Sequence, residues 1–161
     1  MKISYAITVC NEQAEIIKLV TLLRENKRPE DEIVVLYDQT NGSSEVPTWL
    51  TTQSKYPGFQ FWRGFFEGHF ADWKNKLSEY CSGDYIFQID ADEYPHDKLI
   101  ESLPKILESN PDNEVYLVPR VNTVEGLTEQ HIKQWNWKVD SKGWVNYPDY
   151  QARVYKNSPH I

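Results

Sequence analysis

The feature that most constrains the fold is a series of short apolar segments that alternate with amphipathic helical segments. The clearest is the run EIVVLYD at residues 32–38, whose continuous apolar character is typical of a strand buried on both faces of a sheet. Residues 2–9 alternate in hydropathy and are rich in β-branched side chains, which also predicts a strand. Further strands are predicted at residues 59–62, 85–90, 114–119 and 151–155, and helices at residues 12–28, 66–81 and 97–109. This order predicts an α/β fold with a mostly parallel sheet flanked by helices.

Length and composition limit what such a chain can be. Its 161 residues are typical of one domain, and no internal repeat or linker divides them, so we expect a single domain over residues 1–161. The net charge of −7 argues against nucleic-acid binding, which needs a clustered basic surface. No apolar run approaches the ~20 residues of a membrane span, and the first residues do not follow a signal-peptide pattern. Two cysteines are too few for a secreted disulfide scaffold, which predicts a cytoplasmic location.

In an open parallel sheet, ligands bind outside the carboxyl ends of the strands. For this chain the rule selects four loops, and three of them carry carboxylates. The loops are at residues 9–12, 38–42, 62–64 and 90–93.

The sharpest local feature is the sequence Ile89-Asp90-Ala91-Asp92-Glu93 at the end of a predicted strand. Strand alternation places Asp90 and Asp92 on the same side, where both can reach one cation and a diphosphate bound to it. The alternative interpretation is a solvated acidic turn. The spacing fits neither an EF-hand, because Pro95 stands where glycine is needed, nor a zinc site, because no Cys or His cluster is near.

Other strand ends leave two interpretations open. Asp38 can accept hydrogen bonds from a base or a ribose, or it can initiate a turn. Asn11 and Glu12 can contact a ligand or cap the following helix. Cys10 precedes that helix and is interpreted as a small buried thiol.

Some activities lack their usual sequence signals. There is no glycine-rich phosphate-binding loop, which disfavours ATPases and NAD-dependent enzymes. There is also no Ser or Cys in a nucleophile-elbow motif. Trp135, Trp137 and Trp144 are candidates for stacking on sugars, although most tryptophans belong to the core.

Taken in order, these segments resemble the inverting family-two glycosyltransferases, which have the Rossmann-like GT-A fold. The stretch with Glu93 after the two aspartates is similar to a bacterial branch that includes lipopolysaccharide-core glucosyltransferases. The segments that carry the resemblance are residues 7–12 (ITVCNE), 34–40 (VVLYDQT), 71–76 (ADWKNK), 83–93 (GDYIFQIDADE) and 147–155 (YPDYQARVY).

The resemblance implies a nucleotide-sugar donor, most commonly a UDP-sugar, and Mn²⁺ or Mg²⁺ bound through Asp92 with help from Asp90. It assigns uracil and ribose to Asp38 and to the loop from Thr8 to Glu12. The nucleotide-binding residues that it implies are Thr8, Cys10, Asn11, Glu12, Asp38, Lys74, Asp90 and Ala91. Inverting transfer also needs a base that deprotonates the acceptor hydroxyl. Asp149 is the candidate, with Glu125 and Glu129 as alternatives, and Asp149 can instead be a turn residue after Pro148.

Two departures from the family pattern shape the expectations. The usual acidic pair after the second strand is here Tyr37-Asp38, which leaves one carboxylate. Family members also continue beyond a segment like residues 157–161, so we expect a donor and metal part at residues 1–100 and a short acceptor part at residues 101–161. The acceptor, whether saccharide, lipid-linked or protein, and any contact with a membrane surface stay open. The alternatives are a catalytically idle donor-binding or scaffold domain, or a nucleotidyltransferase.

Overall fold

The structure is a computed structural model that describes residues 1–159. His160 and Ile161, part of the C-terminal segment used in the resemblance, lie outside the described residues. The elements in chain order are β1 (Ile3–Val9), α1 (Gln13–Asn26), β2 (Glu32–Asp38), α2 (Glu45–Gln53), β3 (Phe59–Gly64), α3 (Phe70–Glu79), β4 (Tyr85–Asp90), α4 (Asp97–Ser109), β5 (Val115–Asn122), α5 (Glu129–Trp135) and β6 (Val145–Lys156).

Within residues 1–159 the strands form one six-stranded sheet in the order β3-β2-β1-β4-β6-β5. The strands β3, β2, β1 and β4 are parallel to one another, whereas β6 is antiparallel both to β4 and to β5. The predicted α/β fold with a mostly parallel sheet is therefore confirmed. Because the four parallel strands point the same way, their carboxyl ends meet at one edge of the sheet.

Strands β1, β2 and β4 are mostly buried on both faces, as the apolar sequence of β2 predicts for that strand. On β1, Tyr5 and Ile7 pack in a cluster with α1, α2 and α4, while Ala6 packs on the opposite face in a cluster with α3. Fully burying one Ile or Leu side chain stabilises a fold by about 1.5–3 kcal/mol. The many such side chains on both faces hold the strand ends at fixed positions.

Two buried carboxylates fasten the amino ends of the strands, away from the ligand-binding edge. Asp31 accepts a hydrogen bond from the backbone N–H of Ile3 at 2.8 Å, and Glu32 accepts one from the Ser4 hydroxyl at 2.6 Å. Glu32 also pairs with Lys2 at 2.7 Å. These contacts account for both acidic residues as supports of the fold.

Several predicted boundaries are wrong. Helix α3 begins at Phe70 rather than at residue 66, because Gly68 adopts a φ of +88° that a helix does not accommodate. Helix α2 was not predicted, since Pro47 and its threonines are weak helix signals. Helix α5 was also missed, and β6 begins at Val145 rather than at residue 151.

Candidate functional site

A cleft of about 370 Å³ lies at the carboxyl ends of β1, β2 and β4. It occupies the position that the sheet topology predicts for a ligand. Its lining residues are Thr8, Val9, Cys10, Glu12, Asp38, Phe66, Phe70, Trp73, Lys74, Asp90, Ala91 and Asp92. Of the nine predicted nucleotide and metal residues, only Asn11 is not part of this lining.

Asp90, the last residue of β4, is held by two cations and a hydroxyl. One carboxylate oxygen pairs with the Lys74 ammonium and accepts a hydrogen bond from Thr8 Oγ1 at 3.2 Å. The other oxygen lies 3.4 Å from each terminal nitrogen of Arg153. Burial opposes ionisation of this carboxyl, but Lys74, Arg153 and Thr8 outweigh it, so its pKa is lowered. Asp90 is therefore anionic and already engaged.

Asp92 differs from Asp90 in its surroundings. Its side chain is exposed, lines the cleft and accepts no hydrogen bond from residues 1–159. Ala91 between the two aspartates is buried, with 3% of its surface exposed. The two carboxylates face the same cleft, as predicted, but only Asp92 is free to bind a ligand without giving up a protein partner.

Asp38 makes the contacts of a turn residue and also lines the cleft, while its contact with a base or ribose stays a prediction. Its Oδ1 accepts the backbone N–H of Thr40 at 2.8 Å and that of Phe66 at 3.0 Å, which ties the β2 and β3 loops together. Its Oδ2 lies 3.7 Å from the Cys10 thiol at the cleft surface. Burial acts to raise the pKa of Asp38, but these donors outweigh it and the pKa is lowered. The carboxylate is therefore a charged acceptor on the cleft wall.

The loop between β1 and α1 is organised by Glu12. Of the two residues considered for the cap of α1, Glu12 occupies the N-cap position and Asn11 does not. Glu12 Oε2 accepts the backbone N–H groups of Cys10 at 2.8 Å and Asn11 at 3.1 Å. Cys10 is only partly buried and lines the cleft, so its interpretation as a buried thiol is wrong. Burial and the neighbouring Asp38 and Glu12 nevertheless raise the pKa of its thiol, which therefore stays protonated.

An aromatic wall faces the carboxylates across the cleft and consists of Phe66, Phe70 and Trp73. The Phe66 ring lies 4.7 Å from that of Phe70 and 6.1 Å from that of Trp73. A Cβ at Gly64 would lie 2.9 Å from the Trp73 ring, so glycine at the end of β3 allows this ring to sit close to the strand. All three aromatics share one face of the helix predicted at residues 66–81, and in the structure Phe70 is 71% exposed. The position of Phe70 at the start of α3, close to the predicted ligand loop at residues 62–64, is the sequence feature that could have indicated a place in the cleft wall.

Asp149 lies on β6 and does not line the cleft. Its Oδ2 accepts hydrogen bonds from Arg120 at 2.7 and 2.9 Å and from Asn122 at 3.1 Å, and its Oδ1 accepts one from Gln151 at 2.7 Å. The hydrogen bonds from Asn122, Arg120 and Gln151 lower its pKa. Its catalytic role stays a prediction.

The remaining candidates lie away from the cleft lining. Glu125 and Glu129 are exposed, and Glu129 is the first residue of α5. The rings of Trp135 and Trp137 lie 4.8 Å apart, and Trp144 is half-buried against Tyr147. No contact of these residues with the cleft is present in the described chain.

The family model for glycosyl transferase family 2 matches residues 4–159, which is nearly the whole chain. The chain belongs to glycosyltransferase family 2. The predicted resemblance is thus confirmed at the level of the family.

Solved structures resemble this family-two chain in fold. A crystal structure of S. aureus TarS, residues 1–349, matches with a TM-score of 0.70 and 15% identity over 98% of this chain and 47% of the other. TarS in complex with UDP-GlcNAc matches with a TM-score of 0.69, 15% identity and coverage of 98% and 46%. The mannosyltransferase PcManGT from Pyrobaculum calidifontis, in complex with GDP-Man and Mn²⁺, matches with a TM-score of 0.59 and 19% identity. This match covers 73% of this chain and 35% of the other. The chain therefore spans about half or less of the length of these proteins.

The donor set of the cleft fits a divalent ion that arrives with a diphosphate. No group of three or more His, Cys, Asp or Glu side chains within residues 1–159 is arranged to hold a metal by itself. Mg²⁺ sites, however, commonly use one or two carboxylates together with substrate phosphates. The free Asp92, with Asp90 two residues away, meets that requirement.

None of the helices within residues 1–159 is both long and apolar enough to cross a membrane.

Proposed function

We propose that this chain carries the donor site of a metal-dependent, inverting glycosyltransferase that moves a sugar from a nucleotide-sugar to an acceptor hydroxyl. The observation that carries the proposal is the free Asp92 carboxylate in the same cleft as Lys74 and Asp38. A diphosphate and carboxylates repel each other unless cations lie between them, and this cleft offers both a metal ligand and an ammonium group.

The order of the strands supports one orientation of the donor. Asp38 ends β2, and the aromatic wall lies on the loop and helix α3 that follow β3. Asp92 follows β4, which is two strand spacings or about 10 Å from β2. The base and ribose belong at the Asp38 end, where the carboxylate accepts hydrogen bonds and the exposed Phe70 ring can stack on a flat base. The diphosphate belongs at the Asp92 end, and Thr8, Cys10 and Glu12 line the cleft between the two.

Mn²⁺ or Mg²⁺ held by Asp92, with Asp90 beside it, would supply positive charge that neutralises the departing diphosphate. Lys74 adds a cation that the chain itself provides. Its ammonium group lines the cleft while it pairs with Asp90, so it can reach an incoming phosphate oxygen. Nucleotidyltransferases also use carboxylates and Mg²⁺, but the loop at residues 8–13 lacks the glycine-rich, basic character expected of them.

Inverting transfer is a single displacement. The acceptor oxygen bonds to the anomeric carbon as the bond from that carbon to the diphosphate oxygen breaks, and the hydroxyl proton passes to a base. Asp149 remains our candidate for that base. Its three hydrogen-bonding partners and its lowered pKa support equally well a structural role in which Asp149 holds neighbouring side chains in place. A general base works best when its pKa is near the operating pH.

We further propose that residues 1–100 contain the donor and metal site and that residues 101–161 contribute to the acceptor side. Every cleft-lining residue falls within residues 8–92. We therefore expect this chain to bind donor better than it transfers sugar, which keeps open the alternative of an idle donor-binding domain.

We also propose which nucleotide the donor carries, which branch of the family the chain resembles and where in the cell it acts. A UDP-sugar is the first candidate, in keeping with TarS in its UDP-GlcNAc complex, and GDP-mannose bound to PcManGT makes GDP-sugars the second. Glu93 after the two aspartates supports the branch that includes lipopolysaccharide-core glucosyltransferases. Cys10 and Cys81 are both free, which supports a cytoplasmic location.

Calorimetry with UDP, GDP and TDP, each in Mn²⁺ and in EDTA, tests the proposal. We expect one nucleotide to bind clearly more tightly in Mn²⁺. Detection of free sugar or glycosylated acceptor from the matching donor then separates an active enzyme from an idle binding domain. If none of the three nucleotides binds under either condition, the proposal is wrong.

A further inference from the structure

We infer that Arg153 is a positioning residue that holds the acidic loop after β4, engaging Asp90 and Glu93 so that Asp92 is the carboxylate of this loop left unpaired at the cleft among residues 1–159. This inference rests on the proposed function, because it concerns the geometry of the proposed metal ligand. Sequence reasoning placed Arg153 in a family-like segment without assigning it a role.

Arg153 bridges both carboxylates that flank Asp92. Its guanidinium lies 3.4 Å from Asp90 Oδ2 and forms a close ion pair with Glu93 Oε1. Only 15% of the Arg153 side chain is exposed, so these pairs are less screened by water than ordinary surface pairs. The residue comes from β6, which runs antiparallel beside β4, so the bridge joins two neighbouring strands across the sheet.

The backbone closes the same loop. The N–H of Glu93 donates to the carbonyl of Asp90 at 2.9 Å, and the N–H of Asp90 donates to Glu93 Oε2 at 3.2 Å. Arg153 adds a third connection between these two residues. The loop is thus fastened at its first and last residues, while Asp92 between them has no hydrogen-bonding partner in the part of the chain that the structure describes.

The charges alternate from the cleft outward. The sequence of contacts runs from Lys74 to Asp90, Arg153, Glu93 and Arg120, and the last pair, Arg120 with Glu93, measures 3.6 Å. Without Arg153, the carboxylates of Asp90 and Glu93 would lie close together and would lose the cation that contacts both of them. Their repulsion would open the loop, and Asp92 would no longer be held in place beside Asp90.

An arginine is suited to this bridge because its planar fork donates to two carboxylates at once, whereas a lysine ammonium is a compact point charge. The Arg153→Lys variant therefore keeps the charge and loses the bridge, and Arg153→Gln loses both. Arg120→Gln is the matched control, because it removes a cation from the same network that contacts Glu93 but not Asp90.

The test is calorimetry with UDP and GDP in Mn²⁺ and in EDTA on the full chain, together with thermal unfolding without metal. Residues that orient a metal ligand typically contribute 10- to 100-fold to metal affinity. We expect Arg153→Gln and Arg153→Lys to reduce the gain in nucleotide affinity from Mn²⁺ by about tenfold or more, with the affinity in EDTA unchanged. Arg120→Gln should leave the gain near that of the wild type.

The outcomes separate the two proposals. If the wild type binds nucleotide equally in Mn²⁺ and EDTA, the metal-dependent function fails and this inference fails with it. If the wild type shows the gain and both Arg153 variants keep it, only the inference is wrong. It is equally wrong if Arg120→Gln loses as much of the gain, or if the Arg153 variants lose affinity equally in Mn²⁺ and EDTA, because a general structural role would then explain the effect.

Discussion

Replacing Phe70 with alanine tests the orientation of the donor. The Phe70 ring is 71% exposed and contacts Phe66 at 4.7 Å, so its removal should lower the free energy of unfolding by at most about 1 kcal/mol. Stacking of a base on an aromatic ring contributes about 1–3 kcal/mol by alanine substitution. At 1.4 kcal/mol for each factor of ten, the nucleoside diphosphate should bind roughly 5- to 150-fold more weakly.

Phe65 provides a matched control, because it is 63% exposed and lies five residues earlier but does not line the cleft. Calorimetry with UDP or GDP should show the loss for Phe70→Ala and wild-type affinity for Phe65→Ala. Inorganic pyrophosphate with Mn²⁺ should bind both variants equally, since it has no base. Equal nucleotide affinity of the two variants would refute the reasoning, as would a parallel loss for pyrophosphate.

Three further predictions concern the carboxylates and one concerns turnover. Asp92→Asn should abolish most of the Mn²⁺-dependent gain in nucleotide affinity, and calorimetry that shows the same gain as the wild type would contradict this. Asp38→Ala should weaken nucleotide binding by about 1–3 kcal/mol, and because Asp38 also ties two loops, thermal unfolding should show a lower midpoint. The pKa of Asp90 lies below its ordinary value of 3.8, so its ion pairs stabilise the fold above about pH 4, and this contribution is lost as the pH falls through the lower folded pKa. Acid titrations of unfolding should therefore show a shallower decrease for Asp90→Asn than for the wild type. Finally, steady-state assays with a suitable acceptor should give slow transfer, and a kcat near the enzyme median of ~10 s⁻¹ would show that residues 101–161 suffice.

The parts of the fold that sequence predicted are those where one physical signal dominates. The run at residues 32–38 has no polar face, and β2 is indeed buried throughout. The rule that ligands bind at the carboxyl ends of parallel strands predicts that Asp38, Asp90 and Asp92 meet at one edge, and all three line the cleft. Helix α5 has no buried residue, so it leaves no apolar periodicity by which it could have been predicted.

The parts of the site that sequence did not predict depend on partners distant in the chain. Arg153 lies 63 residues from Asp90 and reaches it only because β6 inserts beside β4 in the antiparallel direction. Nothing local to residues 147–155 specifies that pairing. Phe70 has the spacing of a core residue on α3, and only the position of the helix start makes it part of the cleft wall.

The most direct test of the central claim is a crystal of this chain grown with Mn²⁺ and UDP or GDP, measured for anomalous scattering from manganese. We predict one anomalous peak beside the Asp92 carboxylate, with the diphosphate between Asp92 and Lys74 and the base at Asp38 and Phe70. Nucleotide density in the cleft without a manganese peak at Asp92, or with the base at the Asp92 end, would contradict it.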